Sequence, residues 1–175
     1  MSKHIVIVGA GAVGGYVGGH LARAGEDVTL VDPWPEHVEA MRAHGLHLGG
    51  TQGEYRVSVN ALHVSDVQRF ARQPIDIAII STKSFDTAWS ALMVRQYLAP
   101  GGYVVSMQNS INEETIAGVV GWGRTVGCIA STITVNLVAP GHIVRNQQPG
   151  GDRHTVFRVG EAHGGVTPRA SELAG

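Results

Sequence analysis

One cysteine, Cys128, excludes an internal disulfide, and its apolar neighbours make it a packing residue before a nucleophile. Charge is scarce as well. Thirteen Lys and Arg against fourteen Asp and Glu leave a net charge of -1, so no broad basic surface argues for nucleic acid or an acidic membrane. No apolar run is long enough to span a bilayer, and Met1-Ser2-Lys3-His4 passes straight into the first apolar stretch without a signal-like segment. A soluble cytoplasmic protein is the expectation. The nine histidines are scattered; His142, His154 and His163 lack metal-ligand spacing, and no metal is expected. A length of 175 residues suits one sizeable core and is short for two domains.

What is abundant is glycine, with 24 residues, and its placement near the N-terminus is ordered. The unbroken apolar run Ile5-Val6-Ile7-Val8 reads as a central parallel strand covered on both faces. It enters Gly9-Ala10-Gly11-Ala12-Val13-Gly14, a G-x-G-x-x-G turn, and a helix follows. Ala12, Val13, Tyr16, Val17, Leu21 and Ala24 recur at helical spacing until Gly25 stops it. Gly9 makes the tight turn, Gly11 lets a pyrophosphate approach the backbone, and Gly14 lets the helix pack closely on the strand. The free N–H groups and positive dipole end of the helix then face an anion. A second strand over residues 27–31 ends in Asp32, eighteen residues after Gly14, near the spacing of a carboxylate that holds an adenosine ribose. Strand, turn, helix and acid together predict dinucleotide binding, where glycines alone would equally fit a structural turn.

Further along, residues 36–43 read as a helix with Val38 and Met41 inward and Gly45 as its stop. Trp34, between Pro33 and Pro35, suits either stacking on an adenine or covering a loop. Residues 46–59 alternate around a glycine-rich turn and predict an antiparallel excursion that decorates the sheet. Residues 75–80 form a second buried strand that ends in Ser81-Thr82-Lys83-Ser84. Then Phe85, Ala88, Trp89, Leu92 and Met93 predict a helical apolar face. Residues 103–107 repeat the pattern and end in Gln108-Asn109-Ser110, with Ser110 and Glu113 spaced as a capping box for a helix carrying Ile116, Val119 and Val120. Residues 125–135, 142–144 and 155–159 are strand-like, with antiparallel pairing toward the C-terminal end. Thr167-Pro168 opens a final helix carrying Ala170, Leu173 and Ala174. The pattern predicts an α/β, Rossmann-type, doubly wound and mostly parallel sheet with antiparallel strands added late. Residues 1–166 form the dinucleotide-binding domain and residues 167–175 start a helix that leads to an absent helical C-terminal domain.

Four separated stretches carry a family resemblance: GAGAVGGYVGG at residues 9–19, STKSFDT at 81–87, QNSINEE at 108–114, and GEAHGGVTPRASEL from Gly160. The sequence resembles the N-terminal domain of the ketopantoate reductases, the 2-dehydropantoate 2-reductases. That resemblance implies hydride transfer from a nicotinamide to a small 2-keto acid, giving a 2-hydroxy acid on the pathway to pantothenate. It also implies a lysine and an asparagine facing nicotinamide and substrate, which fall on Lys83 and Asn109, with Thr82 beside them. Read alone, Lys83 equally suits an exposed loop and Asn109 an Asx turn. The family commonly has glycine directly after this asparagine. Ser110 stands there instead, which argues against a backbone conformation that only glycine adopts freely. In the family a C-terminal domain supplies the proton-donating lysine and a substrate-binding glutamate. Glu161 is not that glutamate and more simply orders the loop around Arg158 or Arg169. The isolated chain is therefore expected to bind cofactor and barely turn over.

Cofactor choice sets the resemblance, which favours NADP(H), against Asp32, which favours NAD(H). A 2'-phosphate beside a carboxylate at ~4 Å and an effective dielectric near ~20 costs about 4 kcal/mol before screening. No Arg or Lys follows Asp32 until Arg42, so NAD(H) is the expectation. Three alternatives stay open: a non-catalytic dinucleotide-binding or regulatory module, a reductase acting on another 2-keto acid, and a methyltransferase-like fold whose looser loop does not need Gly14. Apolar residues on the last helix and sheet edge leave room for a homodimer.

Overall fold

In chain order the elements are β1 (Ile5–Val8), α1 (Ala12–Ala24), β2 (Val28–Asp32), α2 (Pro35–His44), β3 (Leu46–Gly50), β4 (Tyr55–Val57), β5 (Asn60–His63), β6 (Ile75–Ile80), α3 (Thr87–Arg95), β7 (Leu98–Ser106), α4 (Glu113–Val120), β8 (Thr125–Ala130), β9 (Val135–Ala139), β10 (His142–Arg145), β11 (Phe157–Gly160) and α5 (Pro168–Ala174). The structure, a computed structural model, describes residues 3–131, 133–148, 150 and 155–174. Met1, Ser2 and His154, read above for a leader and for metal spacing, lie outside the described residues.

Seven strands form one sheet in the order β11-β8-β7-β6-β1-β2-β5, all parallel except β11, which runs antiparallel to β8. Chain order reverses between β1 and its two neighbours, β2 and β6, and this Rossmann-type arrangement opens a crevice beyond their C-terminal ends. The central strands are buried on both faces, which is why they lack polar alternation. Ile5, Ile7, Leu30, Ile77, Ile79, Val105 and Cys128 share a core on one face. Val6, Val8, Val31, Ala78, Ile80 and Val104 join Ala91, Val94 and Ile116, from α3 and α4, on the other. Burial pushes the Cys128 thiol up to about 11, in keeping with packing. No helix among the described residues is long and apolar enough to cross a membrane.

Several elements differ from the sequence reading. Residues 46–59 do pair antiparallel as β3 and β4, but they belong to a separate four-stranded sheet, β4-β3-β10-β9, rather than to an edge of the first. β5 completes the parallel order beside β2 and was not foreseen, because its four residues include only Ala61 and Leu62 as buried apolar positions. On α3 the expected face is turned largely outward, although Met93 packs partly on the core. Phe85 is 84% exposed, Ala88, Trp89 and Leu92 are exposed, and Thr87, Ser90, Ala91 and Val94 point inward. Small residues there let the helix lie close on the sheet, where the large aromatics would not fit. α1 likewise turns Gly14, Gly15, Tyr16, Gly18 and Gly19 inward, while Val13, Val17 and Leu21 are only partly buried.

An ion pair ties α5 to the sheet edge, and Lys3 pairs with Glu172 of the same helix. Glu161 follows β11, is 7% exposed, and accepts from Arg169 Nε at 2.7 Å and Arg169 Nη2 at 2.6 Å, and from the Thr167 hydroxyl. Arg169 thus settles the choice between it and Arg158. The guanidinium holds the Glu161 carboxyl down to about 2, against an ordinary 4.5. A carboxylate with a depressed folded value stabilises the fold above its unfolded value and loses that contribution as pH falls. Glu161→Gln should therefore be less stable than the parent near neutral pH, with the difference shrinking between about 4.5 and about 2, as denaturant melts across that window would show.

Candidate functional site

The crevice is built from three loops. The first leaves β1 through Gly9, whose φ of 90° a side chain rarely adopts, and a Cβ there would stand 2.9 Å from the Thr82 backbone nitrogen. Gly14 is as constrained: a Cβ would meet the Gly9 carbonyl oxygen at 2.1 Å and Ser81 at 3.0 Å. Gly11 differs from both. It is the N-cap residue of α1, and a Cβ on it would meet nothing within 4 Å. The turn is therefore tight where it touches protein and open where its backbone faces the crevice. Gly11, Ala12 and Val13 line the start of a helix with no side-chain cap and no acid in its first turn, so its leading N–H groups keep their capacity to bind an anion.

Ala10 is fixed from behind by a residue the sequence reading missed. His37 is fully buried on α2, and its Nδ1 accepts the Gly141 N–H at 2.8 Å. That bond puts the ring proton on Nε2, which donates to the Ala10 carbonyl at 2.8 Å. One imidazole thus joins the glycine turn to the corner between β9 and β10. Trp34 stacks on His37 with centroids 5.8 Å apart and stays 40% exposed. Helical periodicity alone gave His37 no distinguishing mark.

Asp32 closes β2, is 7% exposed, and accepts the Trp34 N–H through Oδ1 at 2.9 Å. One carboxylate oxygen thus shapes the Pro33-Trp34 loop. Arg42 is committed elsewhere: it donates to the Ala61 carbonyl and pairs with Glu39 at 2.7 Å and Asp66 at 2.9 Å.

The second and third loops follow β6 and β7 and are bound to one another. Gln108 Nε2 donates to the Thr82 carbonyl at 2.8 Å and to the Thr87 hydroxyl at 2.9 Å, and Thr82 Oγ1 lies 3.2 Å from Ser90 Oγ. Asn112 Nδ2 and Ser84 Oγ both donate to the Asn109 carbonyl, at 2.8 and 3.2 Å. This network leaves the Lys83 and Asn109 side chains exposed at the ends of neighbouring strands. The expected Ser110 to Glu113 capping box does not form. Asn112 is the N-cap, Glu113 accepts its N–H at 3.1 Å, and Ser110 takes a left-handed φ of 73°. Serine thus adopts the conformation that its departure from glycine argued against, at a cost of about 1–2 kcal/mol. Thr82, Lys83 and Asn109 are brought to one edge with Gly9, Ala10, Gly11, Ala12, Val13 and Gly14; Asp32 sits at the far side, at the end of β2.

Fold and crevice define a Rossmann-type α/β domain with a tight glycine turn at the point where strand order reverses. The chain belongs to the family described as ketopantoate reductase PanE/ApbA, whose model matches residues 5–156. It is 37% identical over 139 residues to a 2-dehydropantoate 2-reductase of Pyrococcus abyssi, covering 79% of this chain and 43% of that protein. Among solved structures, a 2-dehydropantoate 2-reductase of Geobacter metallireducens aligns with a TM-score of 0.82 at 28% identity, over 98% of this chain and 53% of the other. D-mandelate dehydrogenase, solved with NADH and anilino(oxo)acetate, aligns with a TM-score of 0.73 at 25% identity, over 83% of this chain and 46% of its own. The chain spans about half the length of the relatives it matches.

The two glycines should separate in a stability assay. Gly14→Ala must displace backbone and should cost about 3 kcal/mol, whereas Gly11→Ala meets open space and should cost under about 1 kcal/mol, as denaturant melts would show. His37→Leu strands the Ala10 carbonyl and the Gly141 N–H, so a loss of about 2–4 kcal/mol should appear in the same melts.

Proposed function

We propose that this chain is the cofactor-binding half of a reductase that converts a 2-keto acid to a 2-hydroxy acid with hydride from a nicotinamide dinucleotide. The observation that carries the reading is the turn at Gly9 to Gly14, closed against protein at Gly9 and Gly14 and open at Gly11. Such an opening suits a pyrophosphate, held by the backbone of Gly11, Ala12 and Val13 and by the N-terminal end of α1. Asp32 would accept hydrogen bonds from the adenosine ribose through the oxygen that Trp34 leaves free.

The nicotinamide supplies the hydride when bound. Lys83 and Asn109 then stand at the ends of β6 and β7, exposed and without a side-chain hydrogen bond or ion pair among the described residues. Lys83 offers a cation to a substrate carboxylate or to the developing oxyanion, and Asn109 donates to the reacting carbonyl while accepting from a hydroxyl. Thr82 positions this edge through Gln108 and Ser90. Protonation of the product oxygen and exclusion of water need further groups. We assign them to a helical C-terminal domain that α5 leads into, since about half of each relative lies outside the matched part. The chain alone then binds cofactor and turns over little. A reductase of pantothenate biosynthesis is what the family resemblance implies, and a cytoplasmic location is proposed with it. The likeness to D-mandelate dehydrogenase supports keeping the substrate at the level of 2-keto acids.

NAD(H) is the proposed cofactor, with NADP(H) the family's alternative. Asp32 places negative charge where a 2'-phosphate would lie, and Arg42 is held by Glu39 and Asp66 away from any clamp role. Side-by-side calorimetric titration with NADH, NADPH and S-adenosylmethionine at one salt concentration tests the reading. NADH should bind most tightly, Gly11→Val should weaken it at least ten-fold (~1.4 kcal/mol), and Asp32→Ala should erase its advantage over NADPH. Tighter NADPH binding by the parent would overturn the cofactor choice. Binding of the adenosyl compound alone, or of none of the three, would overturn the reductase reading for this chain.

A further inference from the structure

The second sheet gathers a side-chain cluster that linear spacing hides. His47 on β3 and His142 on β10 stand opposite one another in the parallel register of those strands. Their rings stack, with centroids 4.0 Å apart and planes within 11°. Glu54, in the turn from β3 to β4, brings Oε2 to 2.5 Å from His47 Nε2, while its Oε1 accepts the Gly50 N–H at 3.4 Å. One donor atom from each of His47, Glu54 and His142 lies within 4.8 Å of the others. His142, read from linear spacing together with His154 and His163, is set by strand pairing beside His47 and Glu54 instead.

We propose that His47, Glu54 and His142 bind a divalent transition-metal cation of the zinc class, with water completing the coordination. Two imidazole nitrogens and one carboxylate oxygen are the borderline donor set that zinc, cobalt and nickel prefer. Calcium and magnesium want more oxygen ligands than one glutamate gives. The backbone is already placed: β3 and β10 are hydrogen-bonded neighbours, and the His47 N–H donates to the Gly141 carbonyl at 2.8 Å. Only side chains need to adjust. Stacked rings point their lone pairs side by side, so capture turns one ring until the nitrogens converge. His142 makes no side-chain hydrogen bond among the described residues and is the ring that turns. The Glu54 side chain is 66% exposed, so the ion enters from solvent and exchanges. Once bound it ties β3, the β3–β4 turn and β10 together at the outer face of the small sheet.

Calorimetric titration of the chain, free of any histidine tag, with zinc chloride in a non-chelating buffer tests the site. Cobalt(II) absorption gives an independent view of the ligand field. One equivalent of zinc should bind and raise the thermal midpoint. His142→Ala and Glu54→Gln should each weaken binding by at least about ten-fold, while His44→Ala, on exposed α2 residue His44, should leave it unchanged. Circular dichroism of each variant confirms that the fold survives these surface changes. No saturable zinc binding by the parent would overturn the proposal, as would binding that survives both His142→Ala and Glu54→Gln.

Discussion

The architecture depends on how closely α1 can be gripped from two sides. Gly18 lies against Leu30 and Ile7 of the large sheet, where a Cβ would come within 2.3 Å and 2.9 Å. Gly15 and Gly19 face the other way, where a Cβ would stand 2.4 Å from Ile143 and 2.8 Å from Leu46. The helix is thus pressed between two sheets with glycines at its closest contacts on both sides, while Tyr16, Val13, Val17 and Leu21 pack beside them. Helices packed through larger residues keep their axes ~8–10 Å from a neighbour, and the glycines remove that spacer. The small sheet consequently stays against the same helix whose N-terminus opens the crevice, and the glycine turn inherits the rigidity of both.

Polar groups reinforce this clamp at its two ends. At one end His37 spends both ring nitrogens on backbone, joining Ala10 to Gly141. At the other, Arg145, 6% exposed, donates to the Tyr16 hydroxyl at 3.1 Å and to Gln52 at 3.0 Å, with its guanidinium 5.8 Å from the Tyr16 ring. Burying a guanidinium is costly unless it is hydrogen-bonded, so these contacts hold Tyr16 and the β3–β4 turn in one arrangement. Nearby His20 is pushed below its ordinary value by burial and then by Arg23 and Arg145. The helix face toward the small sheet thus combines steric closeness with a few bonds that fix register.

The large sheet was legible because buried parallel strands announce themselves as unbroken apolar runs, and β1 and β6 do so in Ile5–Val8 and Ile75–Ile80. The turn was legible for a similar reason, since each glycine answers a local demand. What escaped was whatever depends on distant partners. β10 pairs with β3 from far along the chain, and His47 and His142 meet only through that pairing. α3 misled because amphipathic reading takes large apolar residues as inward, whereas here the sheet admits Ser90 and Ala91 and turns Trp89 and Leu92 out. His37 escaped because a buried histidine bonded to two backbone groups has no sequence signature.

Those outward residues bear on the chemistry of the crevice. Phe85 and Ile111 are each 84% exposed and lie within two residues of Lys83 and Asn109; Ile129, 63% exposed, lies near the end of β8, the strand next to β7. A cavity of about 470 Å³ opens between Ile111, Glu113, Ile129 and Arg158. Under the proposed reading, hydride transfer needs water kept from the reacting carbon, and a lysine and an asparagine on an open strand edge cannot keep it out. Apolar side chains ringing the same edge suit a surface that is covered while the reaction runs. In that proposal, tight closure at Gly9 and Gly14 sets where the cofactor lies. Under the same reading, the exposed apolar residues near Lys83 and Asn109 leave the substrate side to be finished by whatever closes over it, and substrate choice belongs to the part of the relatives that lies outside the matched stretch.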